Sequence, residues 1–135
     1  MTRFAKMTFA GVAALGGLGI GSALAHHSAA MFDDQVEMEL TGVVTEFDYL
    51  NPHSWLYVDV TGEDGSVTTW GFETDDPSRL RRQGVTPTYW EPGDMVTVIT
   101  NPLRDGRPAG HLVGAIKADG VTFGDTDGLV PPVQE

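Results

Sequence analysis

The chain has 135 residues, a formal net charge of −11 and no cysteine. Its length suits one small domain, and its apolar content of 41% is too high for a disordered chain. The excess of acidic residues repels phosphate backbones, so we expect no nucleic acid partner. The lack of cysteine excludes a disulfide framework, a thiolate zinc site and a cysteine nucleophile.

Residues 1–25 have the pattern of a secretory signal peptide. Arg3 and Lys6 precede an apolar segment, and Ala23 and Ala25 occupy the small-residue positions of a cleavage site. An uncleaved membrane anchor is the alternative, but the apolar run is short for a span and rich in glycine. We therefore expect cleavage after Ala25, a periplasmic or secreted bacterial protein, and no stable membrane span in the mature chain.

The rest of the chain is predicted to be one domain with two short ends. Residues 26–36 read as a polar arm, residues 37–123 as the folded domain, and residues 124–135 as a flexible acidic, proline-containing tail. Apolar residues alternate with polar ones within the domain, which is the pattern of half-buried strands. The predicted strands are residues 37–47 (with a bend at Gly42), 55–60, 67–73, 95–100, 111–116 and 121–123.

One short helix is predicted between the third and fourth strands. Asp76 is suited to the N-cap, Pro77 to the first helical position and Gly84 to the exit, while Leu80 is the residue available to a core. Three strands, a helix and two or three further strands predict an all-β fold, a small OB-like Greek-key β-barrel. An open β-sandwich is the alternative.

The four histidines predict a copper site. Cleavage after Ala25 would place a free α-amine beside the ring of His26, and the two nitrogens could chelate one ion. A third nitrogen from His27, His53 or His111 would give tetragonal coordination, which favours Cu(II), and Met31 could add a soft ligand for Cu(I). In the alternative interpretation, His26 and His27 belong to a solvated arm, and His53 and His111 are structural.

The segment Asn51-Pro52-His53 lies between the first two strands, where the loops of an OB-type barrel border its ligand-binding face. His53 is either a site residue or a turn residue there, and we expect Trp55 to fill the core. Aromatic residues also alternate on the second and third strands, so a ligand- or protein-binding barrel with structural histidines is the second hypothesis. Its partner would be a small ligand or a periplasmic protein.

Sequence motifs of enzymes are missing. The serines lie in no G-x-S-x-G elbow, and no glycine-rich loop joins a strand to a helix to bind phosphate. We predict no catalytic residues and a binding or accessory protein rather than an enzyme. Redox catalysis at an N-terminal copper ion is a third hypothesis, which would need an open coordination position.

Several short motifs together resemble a known family. They are Ala25-His26-His27-Ser28, Phe32-Asp33, Gly42-Val43-Val44, Asn51-Pro52-His53 before Trp55, Trp70-Gly71-Phe72-Glu73, Pro92-Gly93-Asp94-Met95-Val96 and Ala118-Asp119-Gly120. In these segments the chain resembles a bacterial exported family catalogued as a domain of unknown function, DUF family 6152. The resemblance implies an exported single domain in which His26, His27 and His53 belong to a family pattern. It implies no activity, ligand or catalytic residue.

Overall fold

The protein was examined as a computed structural model that describes residues 30–133. Within that range, the chain forms six strands and one short helix, which lies between the third and fourth strands. They are β1 (Met38–Asp48), β2 (Trp55–Thr61), β3 (Val67–Glu73), α1 (Pro77–Arg82), β4 (Met95–Pro102), β5 (Ala109–Lys117) and β6 (Thr122–Gly124). The predicted signal peptide, His26 and His27 lie outside the described residues.

Five of the strands close into a small mixed β-barrel. Strand β1 lies between β2 and β4 and is antiparallel to both. Strand β3 is antiparallel to β2, and β5 is antiparallel to β4. A short parallel pairing joins β3 to β5 and closes the barrel, and β6 extends the sheet beyond β5. This strand order, with the helix between β3 and β4, confirms the predicted OB-like barrel and not the β-sandwich.

The helix has the predicted cap and core residue. The Asp76 carboxylate accepts hydrogen bonds from the backbone N–H groups of Ser78 and Arg79, at 2.8 and 3.1 Å. Pro77 occupies the first helical position, Leu80 is fully buried, and Gly84 leaves the helix with a φ of +84°. A six-residue helix has little stability of its own, so burial of Leu80 against the barrel holds it in place.

The core is formed by the inward residues of the strands and closed by residues of the helix and the following loop. Side chains point alternately inward and outward along a strand, and β2 buries Leu56 and Val58 completely. Trp90 covers one end of the core, where its ring makes edge contacts with Phe47, Tyr89 and Phe123. The fully buried core residues include Leu56, Val58, Phe72, Leu80, Val85, Trp90, Val96 and Val98.

The prediction that Trp55 fills the core is wrong. Leu56 and Val58 occupy the inward positions of β2, so the alternation of side chains puts Trp55 and Tyr57 on the outer face. Phe72, which lies opposite Leu56, fills the core from β3. The aromatic residues of β2 are therefore half-buried surface residues, available to a ligand.

The predicted polar arm is attached to the barrel by an apolar residue. Phe32 is 7% exposed and forms an isolated antiparallel bridge with Leu103, just after β4. The Asp33 N–H donates to the Pro102 carbonyl at 2.8 Å, and the Arg104 N–H donates to the Met31 carbonyl at 2.9 Å. Residues 31–33 thus follow the barrel wall and fix where the arm begins.

Among residues 30–133, no helix combines the length and the apolar character required to cross a bilayer.

Candidate functional site

His53 is held by a short hydrogen bond to a shielded carboxylate. Its ring Nδ1 lies 2.6 Å from Glu73 Oε1, with 42% of the His53 side chain exposed and 11% of that of Glu73. The neighbouring residue, Ser54, is fully buried and pairs through its backbone with Asp75 and Thr74, at 3.1 and 2.9 Å. The loop between β1 and β2 is therefore fixed to the end of β3, which sets the position of the imidazole.

This contact defines the nitrogen that remains available. With Nδ1–H donating to Glu73, Nε2 is the ring nitrogen with a free lone pair in the neutral imidazole. A carboxylate bound in this way fixes the tautomer and the ring orientation, and it makes the free nitrogen a better metal ligand. The same contact is also compatible with a purely structural histidine.

Glu73, the partner of His53, lies on β3 in register with His111 on β5. On the parallel pairing of β3 with β5, Glu73 lies in register with His111, and residues in register share one face of a sheet. Glu73 also lies opposite Trp55 on β2. Trp55, Glu73 and His111 therefore form a row across three neighbouring strands on the outer face of the barrel. Of the four predicted ligands, His53 thus contacts Glu73 and His111 lies in register with it on the next strand.

The arm enters the barrel wall beside His111. The ring centroids of Phe32 and His111 are 5.8 Å apart, with the planes tilted by 47°. His26 lies four residues before Ala30, the first described residue.

The described residues do not complete a metal site by themselves. Within residues 30–133, no group of three histidine, aspartate or glutamate side chains is arranged to hold a metal ion. His53 is half-buried and contacts Glu73, and His111 is exposed on β5, whereas His26 and His27 lie outside the described part of the chain. A copper site as predicted would therefore need nitrogen ligands from the arm.

An acidic aromatic face adjoins this row on the outside of the barrel. We define it by Glu46, Asp48, Trp55, Tyr57 and Gly71. Tyr57 lies opposite both Glu46 on β1 and Gly71 on β3, and Trp55 lies opposite Asp48. The rings of Trp55 and Tyr57 are stacked, with centroids 6.4 Å apart and planes within 18°.

The environment of this face raises the pKa values of Glu46 and Tyr57. A hydrogen bond with Asp48 and repulsion between the two carboxylates raise the pKa of Glu46 above its ordinary value. Burial, followed by the negative charges of Asp48 and Glu46, raises the pKa of the Tyr57 hydroxyl. The face therefore carries negative potential over stacked rings.

Sequence patterns alone did not single out Glu73 as the partner of His53, although a signal was present. In an antiparallel hairpin the start of the predicted strand 55–60 faces the end of the predicted strand 67–73, and the structure pairs Trp55 with Glu73. His53 precedes Trp55 by two residues, so the carboxylate lies within reach of the loop.

Comparison with known proteins identifies one family. The sequence profile of a family described only as being of unknown function, DUF6152, matches residues 17–112. Neither the curated proteins nor the solved structures include a match to this chain. The matched range runs from before the predicted arm to the middle of β5, and it contains both the His53–Glu73 contact and His111. The chain therefore belongs to the family of unknown function DUF6152.

Proposed function

We propose that this protein is a small exported binding protein that holds copper through an N-terminal histidine chelate completed by a histidine of the barrel. The observation that carries the proposal is the contact between His53 and Glu73. It provides an oriented imidazole with a free Nε2, and Glu73 lies in register with His111, whose ring lies beside Phe32. Copper handling, rather than catalysis, is the activity such a site would serve.

The chelate itself would come from the first residue of the mature chain. Cleavage after Ala25 would give His26 a free α-amine, which loses its proton to a metal more readily than a lysine amine does. The amine and the His26 ring would supply two nitrogens, and His53 Nε2 would supply a third. Three nitrogens in one plane suit Cu(II), whose affinity for nitrogen ligands exceeds that of its neighbours in the series of divalent metals.

Glu73 would act on the metal through His53. Its carboxylate holds Nδ1, so the ring need not reorient when Nε2 binds an ion. His111 is the alternative third ligand, with its ring beside Phe32 and its strand position in register with Glu73. Met31 is exposed at the start of the anchored segment, where it would be available to Cu(I).

Titration with Cu(II) tests this proposal. Protein beginning at His26 is compared with the same protein acetylated at its α-amine, by calorimetry and by EPR of the bound copper. We expect tight binding of one ion with nitrogen coordination, lost on acetylation because the amine nitrogen can no longer bind the metal. His53→Ala should weaken binding at least about tenfold, and Met31→Ala, the control, should leave Cu(II) binding unchanged.

The outcomes separate the two hypotheses about the histidines. If His111→Ala weakens binding and His53→Ala does not, His111 is the third ligand and the role assigned to Glu73 is wrong. If binding is weak and insensitive to acetylation of the α-amine, the histidines are structural or solvated. The protein would then be a ligand- or protein-binding barrel, the alternative that its outer aromatic residues favour.

A further inference from the structure

We propose that the acidic aromatic face binds a basic, extended segment of a partner protein, with arginine or lysine side chains placed over Trp55 and Tyr57. This inference does not depend on the copper site, since it uses other residues and no metal. It rests on three features of the face: uncompensated carboxylates, stacked rings and the spacing of the strands.

The carboxylates of the face are free to accept a cation. Within residues 30–133, neither Glu46 nor Asp48 forms an ion pair, whereas Glu73 contacts His53. A hydrogen bond with Asp48, followed by repulsion between the two charges, raises the pKa of Glu46, and a bound cation would remove that repulsion. A neutral ligand, such as an oligosaccharide, could stack on the rings but would leave that repulsion in place.

The aromatic rings provide the second feature. Gly71 lies beneath them, and a Cβ built at that position would be 3.2 Å from Tyr57 Cε1 and 3.5 Å from Trp55 Cε3. The rings therefore lie close over the backbone of β3 and form a platform. A guanidinium group stacks on such rings and binds carboxylates with two parallel hydrogen bonds.

The face contains two pairs of a carboxylate and a ring, and their spacing favours a peptide over a small cation. At one level of the sheet Glu46 lies opposite Tyr57, and at the next level, two residues along the strands, Asp48 lies opposite Trp55. Side chains two residues apart on an extended peptide are ~6.8 Å apart and on the same face. Each level could thus take one basic side chain of a single extended segment, and the net charge of −11 adds long-range attraction.

The probe is an acetylated, amidated peptide of sequence Gly-Arg-Gly-Arg-Gly. Its binding to the protein is measured by tryptophan fluorescence and by NMR of the Trp55 indole N–H. All titrations contain a metal chelator, so copper plays no part in the result. We expect saturable binding that weakens as ionic strength rises, and weaker binding of the lysine peptide. The corresponding glutamate peptide should not bind.

Paired variants locate the site. The double variant E46Q/D48N removes two charges from the face and should weaken binding at least about fivefold, the range of charge-assisted contacts at exposed sites. The matched control, E37Q/E39Q, removes two exposed charges before and at the start of the same strand and should leave affinity within about twofold. Thermal unfolding of each variant shows that the fold is retained.

Three results would overturn the proposal: equal losses in the two double variants, binding of a neutral oligosaccharide at Trp55 with no binding of the arginine peptide, or no binding of either. Success or failure here leaves the copper titration unaffected, because that experiment depends on His26 and His53.

Discussion

Lys117 links three parts of the barrel, and its removal offers a sharp test of the structure. Its Nζ lies 3.0 Å from Asp94 Oδ2 and donates to the Tyr89 carbonyl at 3.1 Å. The same Asp94 oxygen accepts the Glu91 N–H at 3.0 Å, which fixes the turn before β4. Lys117→Met would keep most of the apolar stem and remove the charge, leaving the carboxylate and the carbonyl without this donor.

The expected loss of unfolding free energy follows from how far the ion pair between Lys117 and Asp94 is buried. The side chains of Lys117 and Asp94 are 16% and 28% exposed. Breaking a buried pair costs about 3–5 kcal/mol and an exposed pair contributes at most about 1 kcal/mol, so we expect about 2 kcal/mol for this one. In a domain of this size, that loss lowers the Tm by about 10 °C.

The effect should depend on pH in a defined direction. Burial opposes ionisation of Asp94, but the hydrogen bonds from Glu91 and Lys117 outweigh it and lower the pKa below the ordinary value of 3.8. A carboxyl whose pKa is lower in the folded state stabilises the fold above its unfolded pKa and loses that contribution as pH falls through the folded value. The difference between wild type and Lys117→Met should therefore be full at pH 6 and shrink below about pH 4.

Urea unfolding at both pH values measures the loss, and Arg107→Met is the matched control. Arg107 pairs with Asp105 at 2.8 Å, but both side chains are more than half exposed, so its removal should leave the free energy of unfolding close to that of the wild type. If Lys117→Met costs no more than Arg107→Met, or if its cost is the same at both pH values, the structural role given to the buried pair is wrong.

Three further substitutions test how the barrel holds its helix and its first strand. Asp76→Ala removes the N-cap and should cost about 1 kcal/mol in urea unfolding, with Asp76→Asn restoring most of it. Tyr49→Phe should cost about 1–2 kcal/mol, because the hydroxyl bonds the carbonyls of Pro77 at 2.8 Å and Val85 at 3.2 Å; an unchanged Tm would contradict this. Gly42→Ala should cost at least about 2 kcal/mol in thermal unfolding, since its Cβ would lie 2.2 Å from the Asp59 carbonyl oxygen; a neutral effect would contradict the close approach of β1 and β2.

Local patterns were sufficient for most of the elements. The capped helix is predicted from Asp76, Pro77 and Gly84 because each residue has a preference that depends on its own backbone geometry. The strands were recognised from alternation, although β4 and β5 extend beyond the predicted ranges to Pro102 and Lys117. Alternation alone did not say which face is inward, which is why Trp55 was assigned to the core.

The sequence by itself determined a small all-β domain, its strand order with one inserted helix, and an acidic surface, because these depend on composition, periodicity and capping. The tertiary structure decided that Glu73 contacts His53 and lies in register with His111, and that Phe32 anchors the arm beside His111. It also placed Glu46 and Asp48 next to the rings of β2. These contacts join residues far apart in the chain, and only the register and closure of the barrel bring them together.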